Sequence, residues 1–427
     1  MNSRKALRLV LAVSAFATAA SSAAYAQEGT DEPKKSDMDN AVQSTIFRGD
    51  PVSNAYDDVQ KWKKDNGVPI EIGAWHWWHM FRNPQDDSRR LQYGKRGLEG
   101  TYYYYLKFDP SWDNGAGTKF GLHVDARARD SFHEPDPSFR PFFKSNLWLW
   151  EAYGWVEACD TTFKAGKIWR RFGMDWDGSW YGNVAYFDGW KLDPDWGASA
   201  ERTFDFGHGV TAPSFAQFFF AEDRVNGSVG SRPDSGGSGA DPESDERSRE
   251  KLSFNVRTVP TWTMSNKDTV ALGLSALAEQ VDSRTPAISA AGTSSTATAT
   301  RDHWVSAAAV DLTYTHGKIK AFGEWMKWVG ERHPNNYVTA GPSTRGQDWE
   351  LGAACTHGFA TFRASVSHGN YDNPGGSQIL YLLGVDLAVT KNVTFIVEWV
   401  RWDDKQQRGA PRFFAEDGIN FILNWRF

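Results

Sequence analysis

Alternation of apolar and polar residues runs through nearly the whole chain, and it limits the possible folds more than any other feature. The last ten residues, 418–427, read GINFILNWRF, so Ile, Phe, Leu, Trp and Phe alternate with Gly, Asn, Ile, Asn and Arg. Because successive side chains of a β-strand point to opposite faces, this pattern is typical of a strand between an apolar and a polar environment. No amphipathic helix of any length competes with such strands after residue 67.

Sixteen segments with this pattern follow one another along the chain. They lie near 68–81, 96–108, 118–130, 146–158, 162–170, 198–207, 213–222, 250–260, 268–280, 303–315, 318–329, 347–356, 359–369, 378–389, 392–402 and 415–427. Each is close to or longer than the roughly 9–11 residues that a tilted strand needs to cross a bilayer. The sequence therefore predicts an all-β fold, a transmembrane antiparallel β-barrel of about 16 strands that occupies residues 68–427.

The connections between these segments alternate between long and short. The long ones lie near 82–95, 131–145, 171–197, 223–249, 281–302, 330–346, 370–377 and 403–414, and the short ones include 159–161, 316–317, 357–358 and 390–391. Outer-membrane barrels have long external loops and short periplasmic turns. A soluble β-sandwich also alternates polar and apolar residues, but nothing in that fold makes every second connection long.

An even strand number has a consequence for the two ends of the chain. Both termini are expected in the periplasm, and the last strand is expected to close the barrel against the first. In that last strand Asn420, Asn424 and Arg426 would face the inside, while the apolar residues up to Phe427 would face lipid.

The first 26 residues are typical of a secretory signal peptide. A basic start is followed by an apolar run at 9–20 and an Ala-x-Ala cleavage site at 24–26. The alternative, a membrane anchor, needs about 20 apolar residues, and this run is shorter. We therefore expect an exported outer-membrane protein with a periplasmic segment at 27–67, which contains a short helix near 53–65.

Composition narrows the partners and the sites that the chain can have. A formal net charge of -6 at pH 7 argues against a nucleic-acid partner. The 21 Trp residues suit aromatic girdles at two membrane interfaces. Cys159 and Cys355 would lie on opposite sides of such a barrel, too far apart for a disulfide, so we expect two free thiols.

The sequence offers no set of residues that predicts catalysis. His76 and His79 are three residues apart, so on a strand they point to opposite faces and are not expected to bind one metal. There is no G-x-S-x-G motif and no Ser/His/acid set that must converge. We therefore expect no enzyme activity, no cofactor and no metal.

The long connection after the fifth segment is rich in both acidic and aromatic residues. Its acidic side chains include Asp175, Asp177 and Asp188, and its aromatic side chains include Trp176, Trp180, Tyr181 and Trp190. We expect a loop of this composition to fold into the barrel, to narrow the lumen and to offer its aromatic rings to solutes. The alternative is a lid or a subunit contact on the outer surface.

Basic residues are placed where they can face this loop. They are Arg127 and Arg129 on the third segment, Lys167 on the fifth, and Arg170 and Arg171 at its end. Carboxylates of the loop opposite these groups would set up a transverse field across a narrow pore, and charged constrictions of this kind select solutes. In the simpler alternative these charged groups pair with one another and hold the loop. Both arrangements can occur together.

These features together resemble a known family. Sixteen strands, a Gly-Lys near the end of the fifth, a long inserted loop after it and a terminal Phe427 are similar to the trimeric porins of Gram-negative bacteria. The terminal aromatic also resembles the signature by which outer-membrane proteins are recognised for insertion. Within the porins the chain is most similar to the carbohydrate-selective group, which also carries a short helix before the first strand, here AYDDVQKWKKDNGVPIEIG.

The resemblance implies a homotrimer, surrounded by outer-membrane lipid, that passes small hydrophilic solutes by passive diffusion. Sugars are the expected class, because aromatic rings stack on sugar rings while charged groups bond to hydroxyls. A pore for anions such as phosphate is the nearest alternative, and it would require a cationic lumen. An outer-membrane hydrolase and a structural or adhesive barrel are further alternatives.

Overall fold

The computed structural model describes most of the chain beyond residue 50. The described residues are 51–65, 67–82, 96–115, 117–133, 147–174, 184, 194–221, 252–264, 268–281, 303–332, 343–372, 376–405 and 416–427. The predicted signal peptide at 1–26 lies outside them. Within these ranges, no helix has the length and apolar character needed to cross a membrane.

Helix α1 spans Pro51–Asp65 and precedes the barrel. Proline suits the first turn because its missing amide would have no helical partner there. The helix ends before Gly67, which has a φ of 63°. The amide of Gly67 donates to the carbonyl of Lys64 at 3.3 Å, and that of Val68 donates to Lys63 at 2.8 Å. The predicted helix began at 53, slightly later than the observed one.

Sixteen strands form the barrel. They are β1 Ile70–Arg82, β2 Arg96–Phe108 with a continuation at Ser111–Asp113, β3 Lys119–His133, β4 Leu147–Ala158, β5 Thr161–Trp169, β6 Pro194–Gly207, β7 Val210–Ala221, β8 Ser253–Thr258 with a continuation at Thr261–Thr263, β9 Thr269–Val281, β10 His303–His316, β11 Ile319–Arg332, β12 Ser343–His357, β13 Ala360–Tyr371, β14 Ser377–Thr390, β15 Val393–Lys405 and β16 Glu416–Arg426. β2 and β8 are interrupted at Pro110 and Pro260, because proline has no amide to donate to the ladder.

The barrel closes between its first and last strands. β1 pairs antiparallel with both β2 and β16, and Gly73 lies opposite Arg426. The amide of Ile72 donates to the carbonyl of Phe427 at 2.9 Å, and the amide of Phe427 donates back at 2.6 Å. Every barrel strand therefore has two hydrogen-bonded neighbours, and no edge is left unpaired in lipid. This confirms the predicted role of the last strand.

The two faces of the wall differ as the alternation predicts. Large apolar side chains stay exposed on the outer face around the ring, among them Leu106, Phe120, Phe163, Phe204, Phe254, Val310, Trp325, Leu351, Phe362 and Ile419. In β16, Ile419 is 39% exposed, whereas its inward neighbour Asn420 is 0% exposed. Lipid is the environment that suits such an outer band.

Short turns join the strands at one end of the barrel, which we call the short-turn end. They lie at 159–160, 208–209, 317–318, 358–359 and 391–392. Positive φ angles at Cys159 (52°) and Asp160 (59°) are those of a tight hairpin turn. The observed strands agree closely with the predicted ones. The largest differences at strand starts are in β6, which begins at Pro194 rather than 198, and β12, which begins at Ser343 rather than 347.

Candidate functional site

After β5 the chain turns into the barrel and runs along its inner wall. We call residues 170–193 the inserted loop; its described residues are 170–174 and 184. The amide of Arg171 donates to Gln217 at 2.7 Å, and the carbonyl of Arg171 accepts from Asn255 at 2.7 Å. The amide of Gly173 donates to Ser275 at 3.1 Å. The amide of Met174 donates to Glu324 at 2.5 Å. These wall residues belong to β7, β8, β9 and β11, so the loop follows the wall around the ring.

Phe172 anchors the inserted loop in an apolar socket. Its side chain is 2% exposed and clusters with Leu277, Val305, Ala307, Ala309, Met326, Trp328 and Tyr371. These residues belong to β9, β10, β11 and β13. The interior of a water-filled barrel is polar, so an apolar patch on its inner face marks wall that the loop covers.

Val184 makes a second contact between the inserted loop and the wall. Its amide donates to Ser367 Oγ of β13 at 3.1 Å. Its side chain is fully buried and clusters with Leu380, Leu382, Val400 and Trp402, on β14 and β15. Beyond Arg170, the described contacts of the loop therefore extend from β7 to β15. The predicted inserted loop is confirmed, and its described part lies inside the barrel.

Arg170 braces the start of the inserted loop. Its Nη1 donates to Glu279 Oε2 at 2.6 Å, and its Nη2 donates to Asp195 Oδ2 at 3.0 Å. The guanidinium also lies 5.4 Å from the ring centre of Phe219, and the side chain is 10% exposed. Charge pairing thus holds this part of the loop, which is the simpler of the two arrangements predicted for the basic residues.

The wall from β1 to β5 carries a row of aromatic side chains with one arginine among them. Tyr103 lies 5.2 Å from Trp75, and Trp150 lies 5.4 Å from Trp169, measured between ring centres. Arg127 Cζ joins the two pairs, at 5.0 Å from the Trp75 ring and 4.1 Å from the Trp150 ring. We call these five residues the aromatic row. The described wall contacts of the loop beyond Arg170 lie on β7–β15 and do not include these five residues.

A bulge in β4 brings Trp150 into the aromatic row. Asp125 pairs with Glu151 and Ala126 pairs with Leu149, so Trp150 is an extra residue in the β3–β4 ladder. Glu151 Oε1 accepts a hydrogen bond from the amide of Trp169 at 3.2 Å. Strict alternation would place neighbouring residues 150 and 151 on opposite faces, and the bulge lets both reach the inside.

A cavity of about 390 Å³ lies next to the aromatic row, toward the short-turn end. Its basic lining residues are Lys107, Arg127, Lys391 and Arg426. Its other lining residues are Glu71, Trp75, Tyr105, Asn392, Thr394 and Asn424. They come from strands near both ends of the sequence, so closure of the barrel is what brings them together.

The described members of the predicted constriction set occupy different environments. Arg127 lies in the aromatic row, and Arg170 braces the inserted loop. The guanidinium of Arg171 lies 5.6 Å from the ring centre of Phe215. Lys167 is fully buried, and its ammonium donates to the carbonyl of Leu149. The structure therefore brings Arg127 to the lumen cavity and places Lys167 within the wall.

The remaining predicted site residues lie outside the part of the chain that the structure describes. The side chain of Arg129 is one of them. The others are Asp175, Asp177, Asp188, Trp176, Trp180, Tyr181 and Trp190. Their parts in a constriction and in solute contact stay predictions.

Some of the residues that line the cavity were predicted from the sequence, and others were not. Asn424 and Arg426 were predicted to face inward, and both line the cavity. Glu71 and Trp75 were missed, although their even spacing on β1 puts them on the same face. Phe172 was missed as well, because it is one of many apolar and aromatic residues in this connection and nothing in the sequence distinguishes it.

Histidines and cysteines lie as the strand pattern predicts. His79 faces inward, where its Nδ1 lies 2.6 Å from Asn420 Oδ1. His76 is on the opposite face, and its ring is 5.1 Å from that of Tyr102. Among the described residues no three His, Cys, Asp or Glu side chains are placed to hold a metal ion. Cys159 and Cys355 are free thiols.

Solved structures with the same architecture are porins. No family model and no curated protein sequence matches the chain. Pseudomonas putida OprB is 11% identical with a TM-score of 0.57, over 87% of this chain and 97% of that one. Salmonella typhi OmpF, solved in complex with daunomycin, is 10% identical with a TM-score of 0.55, over 85% of this chain and 99% of that one. At this identity the likeness establishes the fold, which is that of Gram-negative outer-membrane porins.

Proposed function

We propose that this chain, which has the porin fold, is an outer-membrane channel through which small hydrophilic solutes diffuse passively, with sugars as its main class. One observation carries the proposal. The described part of the inserted loop packs against the inner wall from β7 to β15, whereas Trp75 and Arg127 of the aromatic row line a cavity inside the barrel. The solute path then runs between the loop and this row.

The chemistry of the aromatic row suits sugars. An indole face offers apolar area to the C–H groups of a sugar ring, and tryptophan carries a donor at its edge. Arg127 is held between two indoles, so its guanidinium plane is fixed beside the path. A fixed guanidinium donates to several hydroxyls with little loss of side-chain freedom. Weak contacts of this kind guide a solute without retaining it.

The narrowest part of the path is proposed to lie between Arg127 and the loop. Asp175, Asp177 and Asp188 are predicted to supply the negative side of a transverse field there, and Arg127 the positive side. Arg170 and Arg171 contribute by holding the loop to the wall. We also propose a homotrimer, as in the porins that the sequence resembles.

A channel for anions is the second candidate, and one observation favours it. The cavity beside the aromatic row is lined by four basic residues and one acidic residue, Glu71. A cationic lumen is what the anion alternative requires. If the channel passes sugars, we expect the positive charge of this cavity to favour sugars that carry a negative charge.

Reconstitution in planar bilayers tests the proposed channel. The purified protein should give steady, ohmic conductance that added galactose reduces. Replacing Trp75 and Trp150 together with Ala should raise the galactose concentration for half block by about threefold to tenfold, because an aromatic contact contributes roughly 0.5–1.5 kcal/mol. A control that replaces Trp304 and Trp325, which are 47% and 44% exposed on the outer face, should leave the block unchanged. Absence of conductance would reject the channel.

A further inference from the structure

The cavity at the short-turn end has an excess of positive charge. Three of its four basic residues have a carboxylate partner: Lys107 is 3.6 Å from Glu71, Lys391 is 3.0 Å from Asp57, and Arg127 is 3.0 Å from Asp125. Arg426 has no carboxylate within ion-pair distance among the described residues. Among the lining residues, four basic groups accompany one acidic side chain, Glu71, and Arg426 is the basic group without an ion pair in the described ranges.

The guanidinium of Arg127 uses only two of its three nitrogen atoms in hydrogen bonds to described residues. Its Nε and Nη2 donate to Asp125, at 3.2 Å and 3.0 Å. These bonds and the two flanking indoles fix the guanidinium plane. No hydrogen bond within the described ranges uses Nη1 of this residue. A guanidinium held in this way is suited to recognise a carboxylate.

Neutral polar groups and rings complete the cavity. Asn392, Thr394 and Asn424 supply amide and hydroxyl groups that both donate and accept, which is what sugar hydroxyls require. Trp75 and Tyr105 supply ring surface. The volume of about 390 Å³ is near the lower end for ligand pockets, roughly 300–1,000 Å³, and suits a molecule of monosaccharide size.

We propose that this cavity is a binding site for monoanionic sugar acids, that is, ring-sized polyhydroxy carboxylates. Arg426 makes no ion pair in the described ranges, and Nη1 of Arg127 is unused there, so two planar guanidinium groups are available to a planar carboxylate. The carboxylate binds Arg426 and Arg127, and the hydroxyls bind the neutral polar groups. The inference rests on the proposed channel and adds its preferred solute.

Current block by three probes tests the site in the reconstituted wild-type protein. Galacturonate has the ring, the hydroxyls and the charge, galactose lacks the charge, and acetate lacks the ring. Galacturonate should block at a concentration about tenfold or more below that of galactose, because a hydrogen bond to a charged group is worth about one factor of ten or more. Acetate should not block at that concentration.

The relative block by the three probes distinguishes a failure of the sugar-acid site from a failure of the proposed channel. Equal block by galacturonate and galactose would overturn the sugar-acid site while the channel stands. Equal block by galacturonate and acetate would show general attraction of anions and would also overturn it. A protein that folds but conducts no current would reject the proposed channel instead.

Variants locate the effect in the cavity. Arg426→Gln should raise the half-blocking concentration of galacturonate about tenfold and leave that of galactose unchanged, whereas Arg426→Lys should retain most of the preference. Arg345→Gln is the matched control, since Arg345 is 70% exposed at the opposite end of the barrel. If Arg426→Gln does not assemble, Asn424→Ala takes its place and should weaken galacturonate block. Unchanged block in variants that assemble would overturn the site.

Discussion

At the scale of single residues, the inside of this barrel is organised by buried ion pairs. Arg257 Nη1 donates to Asp311 Oδ2 at 2.6 Å and Nη2 donates to Oδ1 at 3.2 Å, in the two-pronged geometry that guanidinium and carboxylate favour. Nη1 also donates to Ser275 Oγ at 2.9 Å. The two charged side chains are 5% and 4% exposed, so neither charge has water as an alternative partner.

This pair gives a prediction about stability. Arg257→Ala should lower the free energy of unfolding by about 3–5 kcal/mol, because it leaves Asp311 as an uncompensated buried charge. Arg345→Ala is the matched control, since Arg345 pairs with Asp372 at 3.3 Å but is 70% exposed. Its loss should change the same quantity by about 1 kcal/mol or less. Urea unfolding of both variants in lipid vesicles measures the difference, and equal effects would contradict the burial argument.

At the scale of elements, the inserted loop depends on the wall for its position. Its described part has no strand partner, and its bonds go to wall side chains such as Ser275, Glu324 and Ser367. Phe172 and Val184 add two apolar contacts, on opposite parts of the covered wall. Packing of these two side chains thus decides where the loop rests.

Removing the Phe172 side chain tests this dependence. Phe172→Ala should weaken anchoring of the loop by about 3–5 kcal/mol, because it empties an apolar socket. Single-channel records should then show more current noise and more brief closures, since a released segment enters the lumen. Phe254→Ala, at a position 49% exposed on the outer face, should leave the current noise and the number of brief closures unchanged. A quiet record for Phe172→Ala would mean that other contacts fix the loop.

The elements also show what sequence patterns can predict. Alternation is a local signal, so it predicted all sixteen strands and the closure by β16. The socket of Phe172 was not predictable, because it combines inward positions of four strands that only the folded barrel brings together. The inward placement of Trp150 was not predictable either, because the extra residue in β4 has no signal in the sequence. Lys167 was predicted in the constriction, but it is buried and donates to the carbonyl of Leu149.

At the scale of the whole molecule, the barrel has an outer apolar band and an inner wall with two unlike halves. One half, from β7 to β15, contacts the described part of the inserted loop and is partly apolar. The other half carries the aromatic row and the cationic cavity. We propose that solutes follow an off-centre path along the half that holds this cavity.

Chemical modification of single cysteines tests this proposed path. In a background with Cys159→Ser and Cys355→Ser, Thr394→Cys places a thiol in the cavity wall. Ala309→Cys places it beneath the loop, at a position 1% exposed, and Val310→Cys places it on the outer face, at a position 42% exposed. A water-soluble cationic thiosulfonate should lower the conductance in steps for Thr394→Cys and leave the other two unchanged. No change for Thr394→Cys, or an equal decrease for Ala309→Cys, would contradict the proposed path.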